Sequence, residues 1–419
     1  MLQPQEIENY QFSKLKVLIK YAYNKVPYYR ALFDTAGVHP DDIRTKDDLY
    51  KIPITSKEKI RNLNLYDRIA KGIDINKCRS LRTSGSTGMP LDIYANEFEI
   101  LRSKTLPFLH MFLDNGCRLT DRTLRITHPC HVTKKYWFQR LNILREYFVT
   151  IDNDIDVQLN KFRQIKPHAI RGYTSAIKSL ALRIKEKGIK ITPPKVIFTT
   201  AEVLTGLDRN TISSVFQTEV IDYYCCNEFG IIAWECKKHN GYHINSDNVI
   251  VELIKEDGSE AKAGEEGEIV ITSLNFYTMP FIRYQIGDRG IWKDGACRGG
   301  NNNSLLLEAI IGRDNDQIIL SSGRIISHYL LTSLMNDIPG IMEFQIVQKE
   351  LDRITISVIK ESSFNDEVLR RRIIKECESM LEEGIKIDPL IVKEIPKEKT
   401  GKFKVVKSEI NYLRPYIFQ

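Results

Sequence analysis

"HAIRGYTSAIKSLALRIKEKGIKITPPKVIFTTAE", His168 to Glu202, decides the fold class. Its two ends, HAIRGY and KVIFTTAE, are short and rich in β-branched and aromatic residues, the composition of strands. SAIKSLALRIKEKG between them reads as a helix, so strand, helix and strand follow one another and imply α/β layers. The same alternation extends outward on both sides. LDIYAN, TLRIT and EVIDYYC have the same strand character.

Toward the N-terminus, residues 5 to 36 are helical. Ile7, Leu15, Leu18, Ile19, Ala22 and Tyr23 form an apolar stripe with lysines between them. Pro27 breaks the stripe, and YYRALFDTAG restarts a short helix that Gly37 can cap. Toward the C-terminus, NVIVELIKEDGSEAKAGEEGEIVITSL reads as two strands around a turn at Asp257-Gly258, a small antiparallel β unit. Composition shifts again near Gly312. Beyond it ITISVIK, the charged helix NDEVLRRRIIKECESMLEEG and a lysine-rich tail make an α+β segment of ordinary domain size. The expected architecture is α/β: a large multi-layer body over residues 1–312 carrying the small β unit, and a small α+β domain over 313–419. Within the body, 1–75 is a helical N-terminal segment and 80–312 the α/β part.

The chain of 419 residues is too long for one ordinary core, and its 42% hydrophobic and 27% charged residues suit a globular protein. A net charge of +7 with lysines and acids interleaved reads as a solvated surface, with no basic-aromatic stripe for nucleic acid. No signal-peptide pattern and no run of about 18 apolar residues occurs, so no membrane span and a cytoplasmic location are expected. The eight cysteines are scattered, two of them vicinal (Cys225, Cys226), which fits reduced thiols better than a disulfide framework. The helix KLKVLIKYAY suits packing on the body or on a second copy of the chain, which leaves a homodimer open.

TSGSTGMP, Thr83 to Pro90, crowds hydroxyls and glycines into one place. Such a loop suits an ordinary surface turn, and equally a cradle of amides and hydroxyls for phosphate. It is not a Walker loop, because Met89 follows Gly88 where that motif needs lysine. Four more segments follow in order: YYCCNEFGIIAWEC, IRYQIGDRG, IGRDNDQI and PKEKTGKFK. Together they resemble the AMP-forming adenylate superfamily of acyl- and aryl-CoA ligases. AYNKVPYYRALFDTAGVHPDDIRTKDDLYKIPITSKEKIR resembles the opening of phenylacetate–CoA ligases. RTSGSTGMPL, IRGYTSAIKSLA, VIFTTAEVL, GYHI and SSGRII look more like the CapK-like branch, often associated with capsular polysaccharide loci.

The resemblance implies ATP and Mg2+ as cofactors, nucleotide and acyl binding by residues 80–312, and a small C-terminal lid domain, 313–419, that moves and carries Lys402. Thr83, Ser84, Gly85, Ser86, Thr87 and Gly88 would donate to the phosphates, with glycines letting the backbone close on them. Glu228 matches the magnesium carboxylate, and Asn227 stands where a Thr or Ser usually meets the α-phosphate. Asp288 would accept both ribose hydroxyls, Tyr224 would line the nucleotide, and Glu202 would lie near adenine. Arg313 adds a cationic fork at the ribose or phosphate, and Arg324 belongs to the mobile domain. Lys402 matches the lysine that bridges carboxylate and α-phosphate as charge develops. Two positions depart from the pattern. Leu91 stands where many members carry lysine, and Asn315 stands at the hinge where Asp or Lys is usual.

Cys236, His239, His243 and Cys297 are residue types zinc prefers, which raises a structural Zn2+ site; the cysteine pair common in phenylacetate–CoA ligase-like proteins is incomplete here. HPCH, His128 to His131, is a second small cluster that better suits a loop lining an acyl pocket. The function implied is activation of a small carboxylic acid as acyl-AMP and its transfer to coenzyme A. Transfer to an amine or hydroxyl of a polysaccharide precursor is the alternative. AMP transfer to a hydroxyl, as in coenzyme F390 synthetase, and a non-catalytic nucleotide-binding role stay open too.

Overall fold

In the computed structural model, His168–Glu202 folds as strand Ala169–Tyr173, helix Thr174–Glu186 and strand Val196–Thr200. The structure describes all residues except 1–3, 83–90, 130–131, 133–136, 296, 298–305, 314–317, 322–324, 327–330, 333, 336–337, 382–383, 397–402 and 411–419. The chain forms two compact units, each made of two segments: Met1–Asp114 with Tyr223–Ile310, and Asn115–Asp222 with Ile311–Gln419. The expected boundary at residue 312 falls within the strand Leu306–Arg313.

The second unit contains a parallel sheet in the order Arg145–Thr150, Arg122–Thr127, Ala169–Tyr173, Val196–Thr200 and the first half of Val220–Cys226. Parallel neighbours need crossovers. Helices Ile155–Ile165, Thr174–Glu186 and Gly206–Phe216 lie in the connections after successive strands. Ile177, Leu180, Ala181 and Ile184 recur at helical spacing and pack with Leu124, Ile126, Ile170 and Ile197. Each large apolar side chain buried there contributes about 1.5–3 kcal/mol.

The same unit carries a four-stranded sheet, ordered Lys386–Ile391, Arg353–Lys360, Ile341–Glu350, Val406–Ser408. Its inner pair is antiparallel and both outer strands are parallel to their neighbours. Helix Asp366–Met380, N-capped by Asn365, adds Leu369 and Ile373 to a core with Ile346, Ile356 and Val358. The α+β reading of this segment matches what is built.

In the first unit, Pro4–Lys25 and Pro27–Ala36 are the expected helices, the second closed by Gly37 in the left-handed conformation at φ 65°. Leu15, Leu18, Ile19 and Ala22 bury against Ile250, Leu274 and Ile282 of the same chain, so the apolar stripe is used internally. The expected two-stranded β unit is larger. Val249–Ile254 and Glu266–Ser273 pair antiparallel, then continue through Tyr284–Trp292, Leu306–Arg313, Tyr242–Ile244 and Gly230–Glu235 to the second half of Val220–Cys226. Every residue of Val249–Ile254 is buried, and a strand covered on both faces belongs inside a larger assembly. Among the described residues, no helix is long and apolar enough to cross a membrane.

Candidate active site

The strand Val220–Cys226 ends in a turn, Asn227 to Phe229, that leads back along Gly230–Glu235. A register shift between Tyr224 and Cys225 breaks the ladder just before that turn. Such bulges re-aim side chains. Two buried amides hold the returning strand: Asn248 Nδ2 donates to Phe229 O at 3.0 Å and Asn245 Nδ2 to Ile231 O at 2.9 Å. Glu228, 6% exposed, therefore sits in a fixed turn. Burial first, and then the charge of Glu228, push the Cys226 thiol well above its ordinary range, so it stays neutral beside the carboxylate.

Gly230 has φ 70°, and a Cβ there would lie 2.1 Å from Ser103 O. The neighbouring backbone is a π turn, Leu101–Thr105, between the helices Glu97–Ile100 and Leu106–Asp114. π turns inside helices recur at functional sites. This one brings Lys104 Nζ to 3.4 Å from Asn227 Oδ1. Ser103 is buried, and its Oγ has no hydrogen-bond partner among the described residues.

Asp288 follows Gly287, whose φ is 84°, on the strand Tyr284–Trp292 and is 8% exposed. Its Oδ2 accepts the Tyr224 hydroxyl. Four of the residues singled out from the sequence thus come together: Tyr224 bonds Asp288, and Asn227 and Glu228 follow on the same strand-turn. A carboxylate has lone pairs for several donors, so Asp288 can take the phenol and further hydroxyls together.

Other expected residues lie elsewhere. Glu202 accepts from Ser175 N at 2.7 Å, Ser175 Oγ at 3.0 Å and Phe403 N at 2.8 Å, which commits both its oxygens to protein groups. Arg313 ends the strand Leu306–Arg313. Thr83 to Gly88, Asn315, Arg324 and Lys402 lie outside the described residues, as do Cys130 and His131 of the HPCH cluster. The strands flanking the first of these, Arg79–Arg82 and Asp92–Ala95, pair antiparallel. Leu91 is fully buried in the core of the first unit.

Of the metal candidates, Cys236, His243 and Cys297 place one ligand atom each within 4.8 Å of one another. The two sulfurs are 3.6 Å apart. Zinc–sulfur bonds of about 2.3 Å in a tetrahedron put two sulfurs roughly 3.8 Å apart, so the spacing fits. His239 is not in this group; its Nδ1 lies 3.5 Å from Glu235 Oε2, on a backbone with φ 48°. Burial raises the Cys236 thiol and lowers the His243 imidazole, so both favour their neutral forms unless a cation is present. Sequence reasoning missed Lys104 and Ser103. Only the nearby Gly230 hinted at a close backbone approach, and a π turn leaves no pattern in a single sequence.

Comparison with known proteins follows the same lines. Residues 318–409 match the family described as the CapK C-terminal domain. The chain is 26% identical over 339 residues to a phenylacetate-coenzyme A ligase of Escherichia coli (strain K12), covering 75% of this chain and 73% of that protein. It is 23% identical over 365 residues to Protein CapK of Staphylococcus aureus, covering 84% and 78%. The chain is a homologue of phenylacetate–CoA ligases and CapK. The fold agrees: 2-hydroxyisobutyryl-CoA ligase in the postadenylation state, in complex with 2-HIB-AMP, superposes with a TM-score of 0.80 at 18% identity, over 96% of this chain and 90% of that one. This homologue therefore has the fold of the adenylate-forming ligases, with Tyr224, Asn227, Glu228 and Asp288 meeting where its large sheet turns.

Proposed function

We propose that the chain is an ATP-dependent ligase that activates a carboxylic acid as acyl-AMP and passes the acyl group to coenzyme A. The observation that carries this is the meeting of Tyr224 and Asp288 beside the Asn227–Glu228 turn, in a homologue of phenylacetate–CoA ligases. In the first half-reaction a carboxylate oxygen attacks the α-phosphorus, and the bond to pyrophosphate breaks with the electron pair leaving on pyrophosphate. In the second, the thiol sulfur attacks the acyl carbon, AMP departs and the thiol proton goes to solvent. Bringing two anions together makes positioning and electrostatic stabilisation the main task.

Asp288, oriented by Tyr224, holds the ribose hydroxyls. Asn227 and Lys104 face the α-phosphate, with the Lys104 ammonium supplying charge that the buried Leu91 does not. Glu228 is the hard, buried oxygen ligand that would hold Mg2+, whose charge offsets that of the phosphates. Thr83 to Gly88 cradle the β- and γ-phosphates, Arg313 and Arg324 add cationic contacts, and Lys402 on the 313–419 domain bridges the reacting groups. Cys236, His243 and Cys297 are the residues that would hold a structural zinc ion. The use of ATP and coenzyme A in this reading supports a cytoplasmic reaction.

The CapK match over residues 318–409 supports a second acceptor, an amine or hydroxyl of a polysaccharide precursor. ATP–pyrophosphate exchange against aryl, aliphatic, amino and sugar acids tests the first half-reaction. Acid-dependent exchange is expected, and thioester formation on adding coenzyme A then separates the two acceptors. Absence of exchange with every acid refutes the ligase.

A further inference from the structure

Two pieces of the candidate site come from the two chain segments of the first unit. One is the π turn Leu101–Thr105, which carries Lys104; the other is the turn Asn227 to Phe229, which carries Glu228. A line of polar side chains joins them. Arg102 Nη1 donates to Asn275 Oδ1 at 3.2 Å, Asn275 Nδ2 to Asn248 Oδ1 at 3.3 Å, and Asn248 Nδ2 to Phe229 O at 3.0 Å. Asn275 Nδ2 also donates to Asp247 O at 2.9 Å. Both amides are buried.

The direction of this line is forced by its ends. A guanidinium only donates and a carbonyl only accepts, so both amides turn their oxygens toward Arg102 and their nitrogens toward Phe229. Hydrogen bonds aligned head to tail polarise one another, and exclusion of water strengthens each. The Arg102 guanidinium lies over the Phe98 ring, 5.1 Å from its centroid. The loop after the strand Glu266–Ser273, which bears Asn275, is clamped separately. Glu99 Oε1 accepts the backbone N–H of Tyr277 and of Thr278 at 2.7 Å each, and its Oε2 accepts that of Asn96 at 2.8 Å. Glu99 is buried in the helix Glu97–Ile100 that runs into the π turn, so loop and turn are tied twice.

Lys104 follows Arg102 by two residues, and Glu228 adjoins Phe229. We infer that Arg102, Asn275 and Asn248 are positioning residues, a hydrogen-bonded relay that sets the spacing between Lys104 and Glu228. The inference rests on the ligase reading, from which the roles of Lys104 at the α-phosphate and Glu228 toward Mg2+ come. Cutting the relay therefore weakens the response to Mg2+ before it weakens contact with the acid.

The test compares wild type with Asn275→Ala, Arg102→Met and the double variant. Pyrophosphate exchange is followed against Mg2+ concentration, and calorimetry of ATP binding at several Mg2+ concentrations gives the same dependence without turnover. We expect the half-saturating Mg2+ concentration to rise about 5- to 30-fold in Asn275→Ala and about 3- to 10-fold in Arg102→Met. The double variant stays within about twofold of Asn275→Ala, because one cut already interrupts the line. The KM for the acid stays within about twofold throughout. Should Asn275→Ala fail to fold, Arg102→Met, at the half-buried end, carries the test.

An unchanged Mg2+ dependence in folded variants overturns the relay. So does a double variant whose shift is the product of the two single shifts, or a KM for the acid that rises as much as the Mg2+ requirement, since either marks a general loosening of the unit. A wild type inert with every acid refutes the ligase reading instead, and the task of the relay with it.

Discussion

Gly230→Ala probes the joint on which the Asn227–Glu228 turn rests. The glycine has φ 70°, and an added Cβ would lie 2.1 Å from Ser103 O and 2.6 Å from Ser103 C. Both neighbours are backbone, so no rotamer change relieves the overlap. Carbon and oxygen in close contact lie about 3.3 Å apart, so the π turn and the strand must separate by about 1 Å. The left-handed conformation costs an alanine about 1–2 kcal/mol, and overpacking against fixed backbone adds about 1–3 kcal/mol. Gly264 supplies the control in the same unit: its φ is 79° and nothing lies within 4 Å of its added Cβ. Gly264→Ala therefore bears only the first cost. At about 2–4 °C per kcal/mol for a unit of this size, the combined cost of about 2–5 kcal/mol lowers Tm by about 4–20 °C for Gly230→Ala, and the backbone cost alone by about 2–8 °C for Gly264→Ala. Scanning fluorimetry of the two variants beside wild type reads the difference. Equal shifts would show that the strand and the π turn are not in contact, and the placement of Lys104 beside Asn227 would fail with them.

Lys402→Ala is expected to reduce pyrophosphate exchange by about a hundredfold or more while ATP still binds, as calorimetry would show; retained exchange would remove the lysine from the chemistry. Metal analysis of the purified protein is expected to give one zinc per chain, and Cys297→Ser to lose it together with several degrees of Tm; a metal-free wild type would refute the site. Burial raises the Cys377 thiol to about 12, so its proton is bound throughout the neutral range. At pH 8 only about one in ten thousand is thiolate, and the native protein should leave Cys377 unlabelled by thiol reagents that modify it after unfolding. Labelling at equal rates in both states would contradict its burial.

The α/β alternation was legible because each element carries its own period: Ile177, Leu180 and Ala181 mark a helix as plainly as KVIFTT marks a strand. The helix break at Pro27 and the cap at Gly37 were legible for the same local reason. Long-range pairing was not. Nothing in NVIVELIK announces that its sheet runs on through Tyr284–Trp292 and Leu306–Arg313 and back to Tyr242–Ile244, because these last two partners lie far apart along the chain. In the site, Glu228 and Asp288 stood out through ordered motifs, whereas the Tyr224–Asp288 hydrogen bond depends on a β-bulge invisible in one strand's sequence. Lys104 looked like any helix-surface lysine. Glu202 shows the opposite limit: its motif marked the position, and the contact with Phe403 comes from a residue far downstream, just ahead of the strand Val406–Ser408.

The two-segment makeup of each unit has a consequence for synthesis on the ribosome. The first unit opens with Met1–Asp114 and closes only with Tyr223–Ile310. At translation speeds of about 5–20 residues per second, its early helices wait roughly 10–50 s for the strands that cover Leu15, Leu18 and Ile19. The parallel strands of the second unit emerge in between, and Val406–Ser408, which pairs with Ile341–Glu350, emerges near the very end. A nascent chain of three hundred residues thus exposes apolar faces from both units at once. Chaperone dependence and slow release into the folded pool are built into this order of segments. Swapping or truncating the C-terminal module would disturb maturation of the chain as well as its chemistry.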